Sequence, residues 1–228
     1  YSRSIVHTIV VEKPIKILEQ FPHTQVVYAH EYMNNKAFHD EHVKIINLCE
    51  SYKYQSLGYY VSLLGVARNQ TVTPSLTTIR DLTNKILIKS IAEELDDIIL
   101  QELQDYTEEK INFQVYFGYT PDKKFLRLAK ELFTIFDLPL FDVTFVKNEQ
   151  WYIQTIRPIS LSSISDKIQH KLINWYTSYV KHSYPQHKLF KPYDYDLAIL
   201  VNAKEVVPPS DQLALQKFKK AAEDIGFY

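Results

Sequence analysis

Glycine is scarce in this chain: there are four in 228 residues, Gly58, Gly65, Gly118 and Gly226, and no two lie within six residues of each other. Loops that cradle phosphates need closely spaced glycines so that backbone N–H groups can approach phosphate oxygens, so a Walker loop and a dinucleotide fingerprint are both excluded. The sequence also has no Gly-x-Ser-x-Gly elbow and no His-Glu-x-x-His pair, which argues against an ordinary hydrolase or kinase. With one cysteine, Cys49, an internal disulfide framework is impossible, and no signal-peptide pattern opens the chain. A cytoplasmic location is the expectation from these features. Charge interrupts every apolar run well short of the roughly 18 residues a membrane span needs, so no membrane partner is expected. The 26 Lys and Arg nearly cancel the 27 Asp and Glu. No global field exists to hold a nucleic acid, and none is expected as a partner.

What is abundant is apolar and aromatic surface. At 46% hydrophobic residues the chain can bury a core without staples. Its 17 Tyr and 12 Phe lack the interleaved basic stripe that base stacking requires and read as packing residues.

The pattern predicts strands at Ile5 to Val11, Gln25 to Tyr28 and Val43 to Leu48, the last apolar enough to be covered on both faces. Leu57, Tyr60, Val61, Leu64 and Ala67 then recur at helical spacing, predicting a helix from about Tyr54 to Arg68. Capping-box patterns at Thr78 with Asp81 and at Ser90 with Glu93 predict two helices over residues 78–104. A strand at Asn112 to Phe117, a helix bearing Phe125 to Phe136, and two strands, Phe141 to Val146 and Trp151 to Ile156, follow at hairpin spacing. Ile168, Leu172, Trp175, Tyr176 and Tyr179 mark another helix. Residues 185–193 read as a linker, Leu197 to Val201 as a strand, and Asp211 to Ile225 as a helix capped by Ser210. The start at Tyr1 and the stop just after Gly226 read as cut ends, with a further strand expected beyond.

The fold class read from this order is α/β and α+β. A Rossmann-like strand-helix unit covers residues 1–75, an α+β region 76–192, and a final strand-helix pair 193–228.

Two side-chain groups invite chemistry. His39-Asp40-Glu41-His42, with His23 and His30 upstream, suggests a metal, but the spacing does not reach the three or four ligands that zinc takes, and no metal site is expected. Cys49 follows a buried strand and reads as a small core residue. The segment Asn47 to Tyr60 is different. Polar and aromatic groups gather at the carboxyl end of a strand and the amino end of a helix, where open α/β sheets bind ligands. The ligand-binding candidates there are Ser51, Tyr52, Lys53, Tyr54, Gln55, Ser56 and Gly58. A carboxylate or phosphate could rest on the free N–H groups of that helix with Ser51, Lys53 and Ser56 helping. The same polar groups could equally serve only to cap the helix.

The run Asn47-Leu48-Cys49, Ser51-Tyr52, Tyr54-Gln55-Ser56-Leu57-Gly58-Tyr59-Tyr60-Val61-Ser62, with Ala67-Arg68 and Pro74-Ser75 following, resembles the N-terminal domain of RimK-like ATP-grasp proteins. Val115 to Gly118, Arg127 to Ala129, Leu132-Phe133, Pro139-Leu140, and Trp151 leading to Ile156-Arg157-Pro158-Ile159 are similar to the family's second half. Tyr195 to Val201 with Pro208-Pro209-Ser210 is similar to the start of its pre-ATP-grasp segment. The resemblance implies a non-catalytic accessory domain of an ATP-dependent carboxylate-amine ligase that forms peptide bonds. ATP and Mg would belong to a C-terminal ATP-grasp domain of the same protein, and this segment would carry no catalytic residue. Implied partners are that domain and a small amino-acid or peptide substrate. A purely structural or oligomerisation module is the alternative. The family commonly has Arg where this chain has Glu50 and Lys53, which replaces forked cations by an anion and a point charge.

Overall fold

β-branched residues dominate β1 (His7–Val11), and all five of its residues are buried, as expected for a central strand covered on both faces. The computed structural model describes residues 7–40, 43–84, 88, 94–181 and 217–222. Strands β1, β2 (Thr24–Tyr28), β3 (Lys44–Asn47) and β4 (Thr71–Thr73) form a parallel sheet in the order β2-β1-β3-β4. The two-residue period of a strand divides its side chains between two cores. Val10, Val27, Ile45 and Val72 face one, shared with Tyr32, Phe38 and Val61. Ile9, Val11, Ile46 and Leu48 face the other.

The helix α1 (Ala29–Asn34) follows β2 directly, and α2 (Leu57–Ala67) connects β3 to β4. Helix α3 (Leu76–Asp81) is capped by Ser75, whose hydroxyl accepts the Thr78 N–H at 3.1 Å. The cap expected at Thr78 is therefore corrected: Thr78 lies inside the first turn and donates to the cap. A second correction concerns the start of α2. Gln55 has φ of 65°, a left-handed conformation incompatible with helix, so Tyr54 and Gln55 form a turn and the helix starts at Leu57 behind Ser56.

The remainder of the first unit carries α4 (Asp96–Leu103), β5 (Lys110–Tyr116), α5 (Leu126–Phe136), β6 (Leu140–Lys147), β7 (Trp151–Pro158) and α6 (Asp166–Lys181). Strands β5-β6-β7 form an antiparallel meander with an irregularity at Thr144/Phe145. Leu128, Ala129, Leu132, Phe133 and Phe136 form the buried face of α5, as their spacing predicts. Tyr116, Phe117, Leu140, Leu161, Ile164, Leu172 and Tyr176 complete the core that Ile9 and Ile46 begin. The fold is thus mixed α/β, a four-stranded parallel sheet with a three-stranded antiparallel one.

The chain divides into two compact units, Tyr1–His187 and Lys188–Tyr228. In the second, residues 217–222 are helical, within the helix predicted at Asp211 to Ile225. The predicted linker 185–193, the strand Leu197 to Val201 and the cap at Ser90 lie outside the described residues. Among the described residues no helix is long and apolar enough to cross a membrane.

Candidate functional site at the carboxyl end of the parallel sheet

Strand β3 ends in Asn47, which is fully buried. Buried amides need partners, and this one has them on every side. Its Nδ2 donates to the Gly58 carbonyl at 2.7 Å and to Ser62 Oγ at 2.9 Å, while its Oδ1 accepts from the Cys49 N–H at 3.2 Å. Ser62 passes the link on, donating to the Pro74 carbonyl at 2.7 Å. One side chain therefore ties the end of β3, the first two turns of α2 and the segment after β4 into a single unit.

Above this buried link the chain turns through residues 51–56. The Tyr52 hydroxyl donates back to the Asn47 carbonyl at 2.6 Å, and burial pushes its pKa well up. Ser51 Oγ accepts the Lys53 N–H at 3.2 Å. Ser56 caps α2 by accepting the Tyr59 N–H at 3.3 Å and donates to the Ser51 carbonyl at 2.8 Å. Gly58 is where helix and loop touch. A Cβ there would collide with the Ser51 carbonyl oxygen and come within 2.9 Å of Cys49 Cβ, so only glycine permits this close approach. Cys49 itself is buried, and burial, with the Glu12 and Glu50 charges adding, pushes its thiol pKa up. A thiol held protonated in this way is no nucleophile.

Four of the seven sequence candidates, Ser51, Tyr52, Ser56 and Gly58, thus hold the loop in shape. The other three, Lys53, Tyr54 and Gln55, are exposed at its tip, with Tyr54 75% exposed. Tyr54 meets Tyr59 edge to face at 5.2 Å, and Tyr59 meets Tyr60 in the same way at 5.7 Å. Tyr59 and Tyr60 were not among the sequence candidates, although an aromatic pair in the first turn of a helix behind a polar loop is a visible signal.

Glu50 is held by two other segments of the chain, residues 12–13 and 160–162. It pairs with Lys13 at 3.2 Å and accepts hydrogen bonds from Ser160 Oγ at 2.6 Å and Ser162 Oγ at 3.0 Å. The Glu50 N–H donates to Glu12 Oε1 at 3.0 Å. Burial by itself raises the Glu50 carboxyl. The hydrogen bonds from Ser160, Lys13 and Ser162 outweigh it and hold the group below the ordinary glutamate value. Glu50 tethers the loop both to Lys13 and to the hydroxyls of Ser160 and Ser162.

A second carboxylate approaches the same end of the sheet from a distant part of the chain. Asp137 terminates α5 in a left-handed conformation, φ 43°, its N–H bonded to the Phe133 carbonyl. Its carboxylate oxygens are 3.4 and 3.5 Å from Thr73 Oγ1, at the end of β4. Burial pushes its pKa up to about 7, against a small opposing effect of the Thr73 hydroxyl.

Of the suggested metal ligands, Glu41 and His42 lie outside the described residues. Among the described residues no three His, Cys, Asp or Glu are placed to hold a metal ion.

The family model of the RimK-like ATP-grasp N-terminal domain matches residues 29–174, and the chain belongs to that family. The match begins at α1 and takes in β3, the loop, α2, β4 and the antiparallel sheet before ending inside α6, while β1 and β2 precede it. No curated protein matches the chain. Among solved structures it is similar to the K. lactis urea amidolyase, at 12% identity and TM-score 0.44 over 83% of this chain and 16% of that one. It is also similar to a single-chain, multi-domain long-chain acyl-CoA carboxylase, at 12% identity and TM-score 0.36 over 78% of this chain and 23% of that one. The chain spans less than a quarter of either structure's length.

Proposed function

We propose that this chain is the N-terminal accessory domain of an ATP-dependent carboxylate-amine ligase, and that Lys53, Tyr54 and Gln55 contact the amino-acid or peptide substrate. In this reading ATP and Mg bind a C-terminal ATP-grasp domain of the same protein, in the cytoplasm, and the chain supplies positioning, not catalysis. Family membership supports the ligase context. The observation that carries the role of the loop is its division of labour: Ser51, Tyr52, Ser56 and Gly58 are turned inward, whereas a cation, an aromatic ring and an amide are presented together outward. Such a tip loses little conformational freedom when a ligand arrives, because its backbone is already fixed. Lys53 suits a carboxylate as a mobile point charge, Gln55 can donate and accept, and the exposed Tyr54 ring, braced edge to face by Tyr59, offers an apolar contact surface.

The internal use of the Ser51, Tyr52 and Ser56 hydroxyls favours the rival, in which the loop only braces its helix. Nuclear magnetic resonance titration of the chain with free amino acids and short peptides separates the two. The proposal expects saturable shifts centred on the amides of residues 53–58. A loop that only braces gives no shift there at millimolar ligand.

A further inference from the structure

Strand β2 closes one edge of the parallel sheet, and among the described residues its strand neighbour is β1 alone. An edge strand leaves a row of backbone N–H and C=O groups able to pair with another chain, and proteins usually blunt such edges with charge, proline or a bulge. This one carries none of these. Its five residues, Thr24-Gln25-Val26-Val27-Tyr28, hold no charge, and Pro22 stands just outside the strand. Val26 is 41% and Tyr28 44% exposed. Alternation puts both on the face that, one strand further in, carries Ile9 and Val11 of the core.

We propose that this edge is a homodimer interface in which β2 pairs antiparallel with β2 of a second copy about a two-fold axis. The inference is independent of the function proposed for the loop. Centred on Val26, the pairing sets Val26 against itself, Thr24 against Tyr28 and Gln25 against Val27. The exposed apolar side chains then cover one another, and no like charges meet. A copy of the chain is the occupant that fits on charge: an isologous contact needs a strand complementary to itself, and an uncharged strand satisfies this without a second sequence. The result is one eight-stranded sheet, β4-β3-β1-β2 continued by β2-β1-β3-β4 of the partner copy. Because the junction is antiparallel, the two 51–58 loops point to opposite ends of that sheet.

Sedimentation equilibrium on the chain, with hydrogen exchange read at residues 25–28, tests this. Wild type should sediment as a dimer at micromolar concentration, with protection of these amides rising as protein concentration rises. V26K sets two ammonium groups against each other across the axis and should weaken dimerisation on the order of 100-fold. Tyr28→Glu, at a second exposed position, should do the same, and both variants should keep the wild-type circular dichroism spectrum, while their melting temperature loses the dependence on protein concentration that a dimer confers. A wild-type monomer at 100 µM, which is roughly the concentration where weak pairs are excluded, overturns the proposal. So does a dimer indifferent to both substitutions. Protection that does not depend on concentration also overturns it, since it means that another segment of the same chain covers the edge.

Discussion

Asn47→Ala should lower the free energy of unfolding by about 3 kcal/mol, the scale for a buried polar residue with several partners. The substitution strips a donor from the Gly58 carbonyl and from Ser62 Oγ, and an acceptor from the Cys49 N–H, all in a region closed to water. It also leaves a void the size of an amide group, which the surrounding β3, α2 and β4 segments can close only by moving. Asn47→Asp is the sharper control. It keeps the shape and one acceptor but turns a carboxylate oxygen toward the Gly58 carbonyl, so it should cost at least as much as alanine. Urea melts of both variants provide the check. A loss below about 1 kcal/mol for both, no more than one ordinary hydrogen bond contributes, would mean that the loop is held by something other than Asn47.

Asp137→Asn should have the opposite sign, stabilising the protein at alkaline pH. The folded-state pKa of Asp137 is about 7 against an ordinary value of 3.8, with burial the cause. A carboxyl whose pKa is raised by folding favours the native state fully below the ordinary value, and that contribution is lost as pH rises through the folded value. Asparagine mimics the protonated form at every pH. It also tolerates the left-handed backbone at position 137, and it removes a negative charge from the carbonyl end of α5, where the helix dipole disfavours one. Each pKa unit corresponds to about 1.4 kcal/mol, and partial exposure of the residue with solvent screening reduces the expected gain at pH 8.5 to about 2 kcal/mol. The gain should shrink steadily below pH 7 and vanish near pH 4, around the ordinary aspartate value. Denaturation curves from pH 4 to 8.5 would refute this if the variant were no more stable at pH 8.5, or if its advantage persisted unchanged at pH 4.

Much of the fold is legible in the sequence wherever a local pattern is long enough to dominate. β-branched runs mark β1, β3 and β6, and the spacing of Leu128, Leu132 and Phe136 marks α5. Short elements escape: α1 has six residues and β4 three, too few to show a period, and both are held by tertiary contacts of Tyr32 and Val72. The helix start at Tyr54 is misread because Tyr54 extends the apolar spacing of Leu57 and Val61, while nothing local reveals that Gln55 is left-handed. Thr78 looks like a cap because Asp81 follows three residues later, yet Ser75 is better placed, directly behind Pro74.

At the candidate site the location is readable, because a buried strand, a polar turn and an amphipathic helix succeed one another there. The direction of each side chain is not. Ser51, Tyr52 and Ser56 look like ligand groups until the backbone atoms that take up their hydroxyls are seen. Asp137 reaches Thr73 across 64 residues of sequence, a proximity that no periodicity encodes.

The outward tip of the 51–58 loop is proposed to contact the substrate of an ATP-grasp ligase. Steady-state kinetics of the parent enzyme carrying the triple substitution Lys53→Ala, Tyr54→Ala and Gln55→Ala tests it most directly, with amino acid or peptide as the varied substrate. The expected result is a KM for that substrate raised roughly tenfold, with kcat within about twofold and the KM for ATP unchanged, as when binding contacts alone are removed. A folded triple variant with every kinetic parameter at the wild-type value would contradict it and leave the loop as a brace for its helix.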